Sequence, residues 1–291
     1  MQTALWIAAT LAAMLAALGV AVAASLWRRL SGRHLRRGAF ESHRAMIEPH
    51  LQTLYPPGEG PFPAVLLFHG CGGVRRIMHD YAEAAVKSGV AAVIINSLTP
   101  RGIDYEAALA QVCTGRVLWG RERAADLHAA LSVVRADPQL DSDRIVLAGW
   151  SHGGWTVLDA FALDAAGQAP DGLDQAPENP FDGVRGVFLV YPYLSGPALS
   201  RRRSFSPPAP VEAVLVEQDA MASDADAAEV FARLKQHGAA ISWSTLGGVT
   251  HGFDEPDHHP QSKLRYDDMA TQRVRSEFVE FLRRRLDPKP V

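Results

Sequence analysis

The stretch Val146-Leu147-Ala148-Gly149-Trp150-Ser151-His152-Gly153-Gly154 constrains this chain more than any other. A short apolar run, Ile145 to Ala148, ends in Gly-x-Ser-x-Gly, and an apolar-periodic stretch starts at Trp155. Strand, sharp turn and helix is the context in which this pattern presents a serine hydroxyl above the carboxyl edge of a sheet. The reason is steric: a serine held in a strained turn needs neighbours without Cβ two positions away on each side, or strand and helix collide. The helix that follows offers free N–H groups to a developing negative charge. The pattern alone also fits ordinary turn serines, and the strand–helix context makes Ser151 the expected nucleophile.

The rest of the body alternates strand and helix patterns. Strands are expected over His50–Tyr55, Ala64–Phe68, Gly89–Asn96, Ile145–Ala148, Val184–Tyr191, Val211–Glu217 and Ala240–Leu246. Several are continuous apolar runs, as in strands buried on both faces. Helices are expected over Tyr81–Ser88, Arg116–Ala136, Ala225–Gln236 and Tyr266–Leu286, besides the one after the elbow. Gly38–Pro49 reads as a polar connection and Asp141-Ser142-Asp143 as a turn before the elbow strand. The loops Gly102–Gly115, Gly167–Asp182 and Ser195–Pro210 are expected to shape the pocket. Such alternation implies an α/β fold with a mainly parallel, doubly wound sheet.

An N-terminal segment stands apart. Ala4–Trp27 carries no charge and is followed by Arg28, Arg29, Arg33, Arg36 and Arg37. As a helix it would span roughly 36 Å, enough to cross a bilayer, with Trp6 and Trp27 near the interfaces. A cleavable signal peptide with Ala21-Val22-Ala23 at its cleavage site is the alternative, but no basic residue precedes the run. The expected organisation is residues 1–38 as a transmembrane anchor or signal segment and 39–291 as the catalytic domain. The basic flank places that domain on the cytoplasmic side, and a domain that is periplasmic or exported after signal cleavage is the other possibility. The net charge of -3 argues against a nucleic-acid partner. Two cysteines, Cys71 and Cys113, exclude a disulfide scaffold and a cysteine-rich zinc site.

A nucleophilic serine needs a base, and the base an orienting acid. Asp219 follows the strand pattern Val211–Glu217, and His251 lies in Gly247-Gly248-Val249-Thr250-His251-Gly252-Phe253 before the closing helix. Both sit at carboxyl ends of strands, in the order serine, acid, histidine found in α/β-hydrolases. Asp224 is the competing acid, and better suited to cap the Ala225–Gln236 helix. The oxyanion donors are expected to be the amides of His152 and of Cys71 in His69-Gly70-Cys71-Gly72-Gly73. Cys71 itself lacks a local base for the role of nucleophile. Asp254, Asp257, His258 and His259 match no metal-site spacing, and Arg101 and Arg121 meet either an anionic substrate or an ion-pair partner.

With these residues in place, the chain resembles the dienelactone hydrolase-like branch of the α/β-hydrolases over roughly Leu51 to Leu286. The resemblance rests on Pro63–Gly73, Asn96-Ser97-Leu98-Thr99-Pro100-Arg101-Gly102 followed by Cys113, Asp141-Ser142-Asp143-Arg144-Ile145, and Thr250-His251-Gly252-Phe253-Asp254. It implies one domain without a large cap, no cofactor, and hydrolysis of small esters or lactones through an acyl-enzyme on Ser151, Asp219 and His251. Dienelactone hydrolases carry cysteine as nucleophile where this chain has serine. Cys71 and Cys113 both fall in family-like stretches, and a disulfide between them is expected if the domain is exported. The rival readings are a non-catalytic binding protein on the same fold and a thioesterase or peptidase on the same triad.

Overall fold

The computed structural model describes residues 2–30, 35–259 and 261–288, in two compact units, Met1–Arg37 and Gly38–Val291. The first holds one helix, α1 (Gln2–Leu30). Its Thr10–Arg28 window has a mean hydropathy of 2.0 and is not buried anywhere. Length and composition suffice to cross a bilayer, and a signal sequence meets the same criterion. Trp6 and Trp27 are exposed near its ends; Arg33 of the basic flank lies outside the described residues.

The second unit is a seven-stranded sheet in the order β1-β3-β2-β4-β5-β6-β7. Its strands are β1 (Leu51–Leu54), β2 (Phe62–Phe68), β3 (Ala91–Ile95), β4 (Leu140–Trp150), β5 (Val184–Val190), β6 (Val211–Val216) and β7 (Ile241–Leu246). Only β1, at one edge, runs antiparallel. The helices are α2 (Phe40–Ile47), α3 (Arg76–Lys87), the single turn α4 (Tyr105–Ala107), α5 (Gly120–Ala136), α6 (His152–Asp164), α7 (Asp224–Gln236) and α8 (Asp268–Leu286).

The continuous apolar strands are explained by two core layers. Ala64, Leu66 and Phe68 of β2 face Leu127 and Leu131 of α5 and Leu158 and Phe161 of α6. Val65 and Leu67 point the other way, toward Tyr81 of α3 and Phe278 and Phe281 of α8. Alternate residues of one strand thus serve opposite layers, each large side chain contributing about 1.5–3 kcal/mol by burial. Register positions the site. Phe68 pairs with Gly149 and Gly149 with Leu189, so β2, β4 and β5 end side by side. Val216 pairs with Leu246, which brings the loops after β6 and β7 together.

Local departures from expectation have physical causes. Residues 40–47 form α2 rather than a polar connection: Ile47 is buried in the core layer that includes α5, and His43 bonds Asp126 of α5. Tertiary packing, not periodicity, holds so short a helix. The segment 141–144 continues β4 instead of turning, since Leu140 already pairs with Phe62. α5 begins at Gly120 rather than Arg116 because Leu118 adopts φ 57. A Cβ at Gly120 would also lie 2.4 Å from Trp155 Cδ1. The expected loop at 102–115 contains α4, capped by Asp104, and a π-helical turn at Ala108–Val112. Ser223 rather than Asp224 caps α7, accepting from the Asp226 amide.

Candidate active site

Ser151 occupies the junction of β4 and α6 at φ 50, ψ -111, the strained conformation that its neighbours make possible. A Cβ on Gly149 would stand 2.6 Å from the Gly153 carbonyl carbon, and one on Gly153 would stand 2.0 Å from the Phe68 carbonyl oxygen. These atoms are backbone and cannot yield, so both glycines are sterically required. Opposite them, the loop after β2 lies close enough that a Cβ on Gly70 would be 3.7 Å from Ser151 Cβ.

The loops after β6 and β7 complete a hydrogen-bonded chain. Ser151 Oγ and His251 Nε2 are 2.9 Å apart, and His251 Nδ1 lies 2.7 Å from Asp219 Oδ2. Asp219 Oδ1 accepts from the amides of Met221 at 2.8 Å and Ala222 at 3.0 Å. Gln218, at φ 55, turns the chain so that Asp219 points back at the histidine. Burial pushes the Asp219 carboxyl up, but the His251 contact and the two amides outweigh it, and the group titrates below its ordinary range. All three side chains are nearly buried. The His251 ring packs on Tyr191, with ring centres 4.5 Å apart. Asp224 takes no part; it sits in the first turn of α7.

Cys71 borders the same cavity as Ser151 and His152 follows Ser151 in the chain, and among the described residues neither amide donates to a protein acceptor. Two donors without partners next to a nucleophile can receive an oxyanion. Cys71 is joined to Cys113 by a disulfide, which ties this loop to the end of the π-helical turn. The expected pairing is present, and it leaves no thiol among the described residues.

Sequence reasoning missed the groups behind this wall. Arg123 of α5 is buried and donates from Nε to Ser97 Oγ, and from Nη1 to the His69 carbonyl and His152 Nδ1. His69 and His152 are both shifted well down, by burial first and by Arg123 next, so both rings are neutral. Asp254 follows the histidine loop inward and accepts from Tyr81, Trp150 and Tyr191. Nothing in the spacing of Arg123 marks it in sequence, since it looks like a surface charge, and Asp254, although part of the Thr250–Asp254 stretch, gave no sign there of its burial. Arg101 and Arg121 are ion-paired, with Asp126 and Asp171. Asp257 pairs with Arg75, and among the described residues no group of His, Cys, Asp and Glu converges as a metal site.

The sequence model of the dienelactone hydrolase family matches residues 52–286. Esterase 2 of Thermogutta terrifontis superposes with a TM-score of 0.61 at 18% identity, covering 82% of this chain and 91% of that one. A dienelactone hydrolase-like promiscuous phosphotriesterase from metagenomic libraries gives a TM-score of 0.58 at 17% identity, covering 81% and 92%. At these identities the likeness concerns the fold. A curated relative, "Probable dipeptidyl-aminopeptidase B" of Fusarium vanettenii, is 30% identical over 118 residues, 38% of this chain, which spans 13% of that relative's length.

Proposed function

The chain belongs to the dienelactone hydrolase family, and from that premise we propose that it is a serine hydrolase cleaving small carboxylic esters or lactones through an acyl-enzyme on Ser151. The observation that carries this reading is the unbroken contact series Ser151–His251–Asp219 at 2.9 and 2.7 Å. Ser151 Oγ attacks the carbonyl carbon while its proton passes to His251 Nε2. Asp219 keeps the Nδ1–H tautomer facing it and stabilises the imidazolium. The negative oxygen of the tetrahedral intermediate falls to the amides of Cys71 and His152. The intermediate collapses as His251 returns the proton to the leaving alcohol. Water, deprotonated by the same imidazole, then hydrolyses the acyl-enzyme to acid and free serine.

We further propose that residues 1–38 anchor or export a catalytic domain formed by 39–291. The Cys71–Cys113 disulfide supports an oxidising compartment for that domain, against the cytoplasmic orientation that the basic flank implied. Protease accessibility of the domain in intact cells tests this; full protection would favour the cytoplasmic side.

The test of the chemistry is labelling with a fluorophosphonate probe, wild type beside Ser151→Ala, together with hydrolysis of p-nitrophenyl acetate. Wild type alone should label, and the variant should lose about 10⁶ in turnover. Folded wild type that neither labels nor hydrolyses would favour the binding-protein reading. Labelling of both forms would place the nucleophile elsewhere. Activity on dipeptidyl anilides but not on esters would favour the peptidase reading.

A further inference from the structure

The cavity divides at Ser151. One lobe, about 430 Å³, is walled by His251, Gly252, Glu255 and Tyr105. The other, about 350 Å³, is walled by Trp119, Trp155, Tyr193 and Arg202 and does not include His251. Cys71, Cys113 and Met221 border both lobes. In acyl transfer the base that accepts the serine proton must hand it to the leaving oxygen, so the leaving alcohol occupies the side that His251 lines. The acyl substituent, attached to the same carbon, then projects across Ser151 into the other lobe.

That lobe is an aromatic box. The Trp155 and Tyr193 ring centres are 5.4 Å apart and those of Trp119 and Trp155 6.4 Å apart, tilted by 44° and 40°. Both indole N–H groups are spent on the protein: Trp155 Nε1 donates to buried Asp159 at 2.7 Å and Trp119 Nε1 to the Gly115 carbonyl at 2.7 Å. Both polar edges are thereby satisfied by the protein, and the rings cannot swing without breaking these bonds. Gly120 makes room for Trp155, as the close approach of its absent Cβ shows. At the mouth, Arg202 is exposed and donates to the Gly196 carbonyl, with no carboxylate paired to it among the described residues. Its neighbour Arg201 is paired to Asp226.

We propose that this lobe selects the acyl half of the substrate, and that it selects an aromatic carboxylic acid: a neutral or anionic ring joined to the carbonyl through a short spacer. This rests on Ser151 being the nucleophile. A ring of that kind gains offset or edge-to-face contacts on more than one wall, and Arg202 disfavours a cationic substituent. A linear alkyl chain of equal length fills less of the box and gains none of the ring contacts.

The experiment compares p-nitrophenyl acetate, butanoate, 3-cyclohexylpropanoate and 3-phenylpropanoate, which share one leaving group. The full chain should hydrolyse the phenylpropanoate with kcat/KM at least tenfold above the butanoate and severalfold above the cyclohexyl ester. Free 3-phenylpropanoate should inhibit at least tenfold more tightly than free butanoate, a measurement independent of any variant. Trp155→Leu and Trp119→Leu should each lower the phenylpropanoate-to-butanoate ratio by fivefold or more. Equal kcat/KM for the alkyl and aryl esters, with normal fluorophosphonate labelling, would overturn the acyl-pocket proposal alone. Loss of labelling and of all ester turnover in folded wild type would overturn the nucleophile reading and this proposal together.

Discussion

Replacing Asp219 by asparagine should nearly abolish turnover while leaving the fold intact, and the hydrogen bonds around it say why. Asp219 Oδ1 accepts from two backbone amides, at 2.8 and 3.0 Å. Those amides fix which way an asparagine would face: its carbonyl oxygen must replace Oδ1, so its NH₂ takes the place of Oδ2, 2.7 Å from His251 Nδ1. A donor at that position forces Nδ1 to accept, and the ring proton moves to Nε2, where it faces Ser151 Oγ. The imidazole then has no lone pair for the serine proton. Loss of the correct tautomer in this way costs about 10⁴ in kcat, or roughly 5.5 kcal/mol of barrier. The assay is p-nitrophenyl ester hydrolysis beside thermal unfolding, with Asp224→Asn as the control for the competing acid. A second readout is acid stability. Because the folded carboxyl titrates below its ordinary range, its contribution is full above the unfolded pKa and lost as pH falls through the lowered one. The Asn variant should lack that acid-side decline. Turnover within tenfold of wild type for Asp219→Asn, or a large loss for Asp224→Asn instead, would refute the assignment.

The disulfide closes a loop of 42 residues, for which chain entropy gives a stabilisation of about 4 kcal/mol. Native protein should resist alkylation without reductant, and Cys113→Ser should unfold at lower denaturant and hydrolyse esters more slowly through a loosened Cys71 amide. Wild-type midpoint and rate in that variant would contradict the structural role. Glu255, on the wall of the larger lobe, has its carboxyl pushed up to about 7 by burial first and Asp257 next, against Arg75. A raised carboxyl means that the folded state holds its proton longer than the unfolded one, so this group lowers stability as pH rises from about 4.5 through 7. The stability of Glu255→Gln relative to wild type should therefore rise between pH 5 and pH 8 by on the order of 2 kcal/mol, less the lost Arg75 contact. Parallel stability–pH curves for the two proteins would contradict the burial argument.

The sheet was legible chiefly through its central strands, which are buried on both faces. Runs such as Ala64–Phe68 and Ala213–Val216 have no polar face, and a parallel sheet covered on both sides accommodates them. Helices were legible where they present a full apolar stripe. α2 was not, because Ile47 is its only fully buried side chain and the rest of its support comes from α5, eighty residues away in sequence. The same limit applies to the start of α5. Periodicity from Val117 onward fits a helix, but the backbone at Leu118 must reverse to deliver its carbonyl to His152 Nε2, at 2.7 Å. A local pattern cannot register a demand made by a distant side chain.

The candidate site divides along the same line. Ser151, Asp219 and His251 were legible because each stands just past a strand end beside a glycine, a turn residue or both. The environment that tunes them was not. Arg123 lies three residues before Asp126 on α5, a spacing that reads as an exposed ion pair, yet it is 1% exposed and Asp126 is bonded instead to Arg101 and His43. Burial draws the Arg123 guanidinium down to about 9, so it remains a cation at neutral pH. Its Nη1–H occupies His152 Nδ1, which leaves the ring proton on Nε2 to bond the Leu118 carbonyl and locks the first residue of α6 in place. The same Nη1 holds the His69 carbonyl at the base of the Cys71 loop. One buried cation therefore fastens both strips of backbone that carry the two amides. In the proposed mechanism this buried positive charge, bonded to the His69 carbonyl and the His152 ring in a low-dielectric wall, favours the oxyanion that the two amides receive.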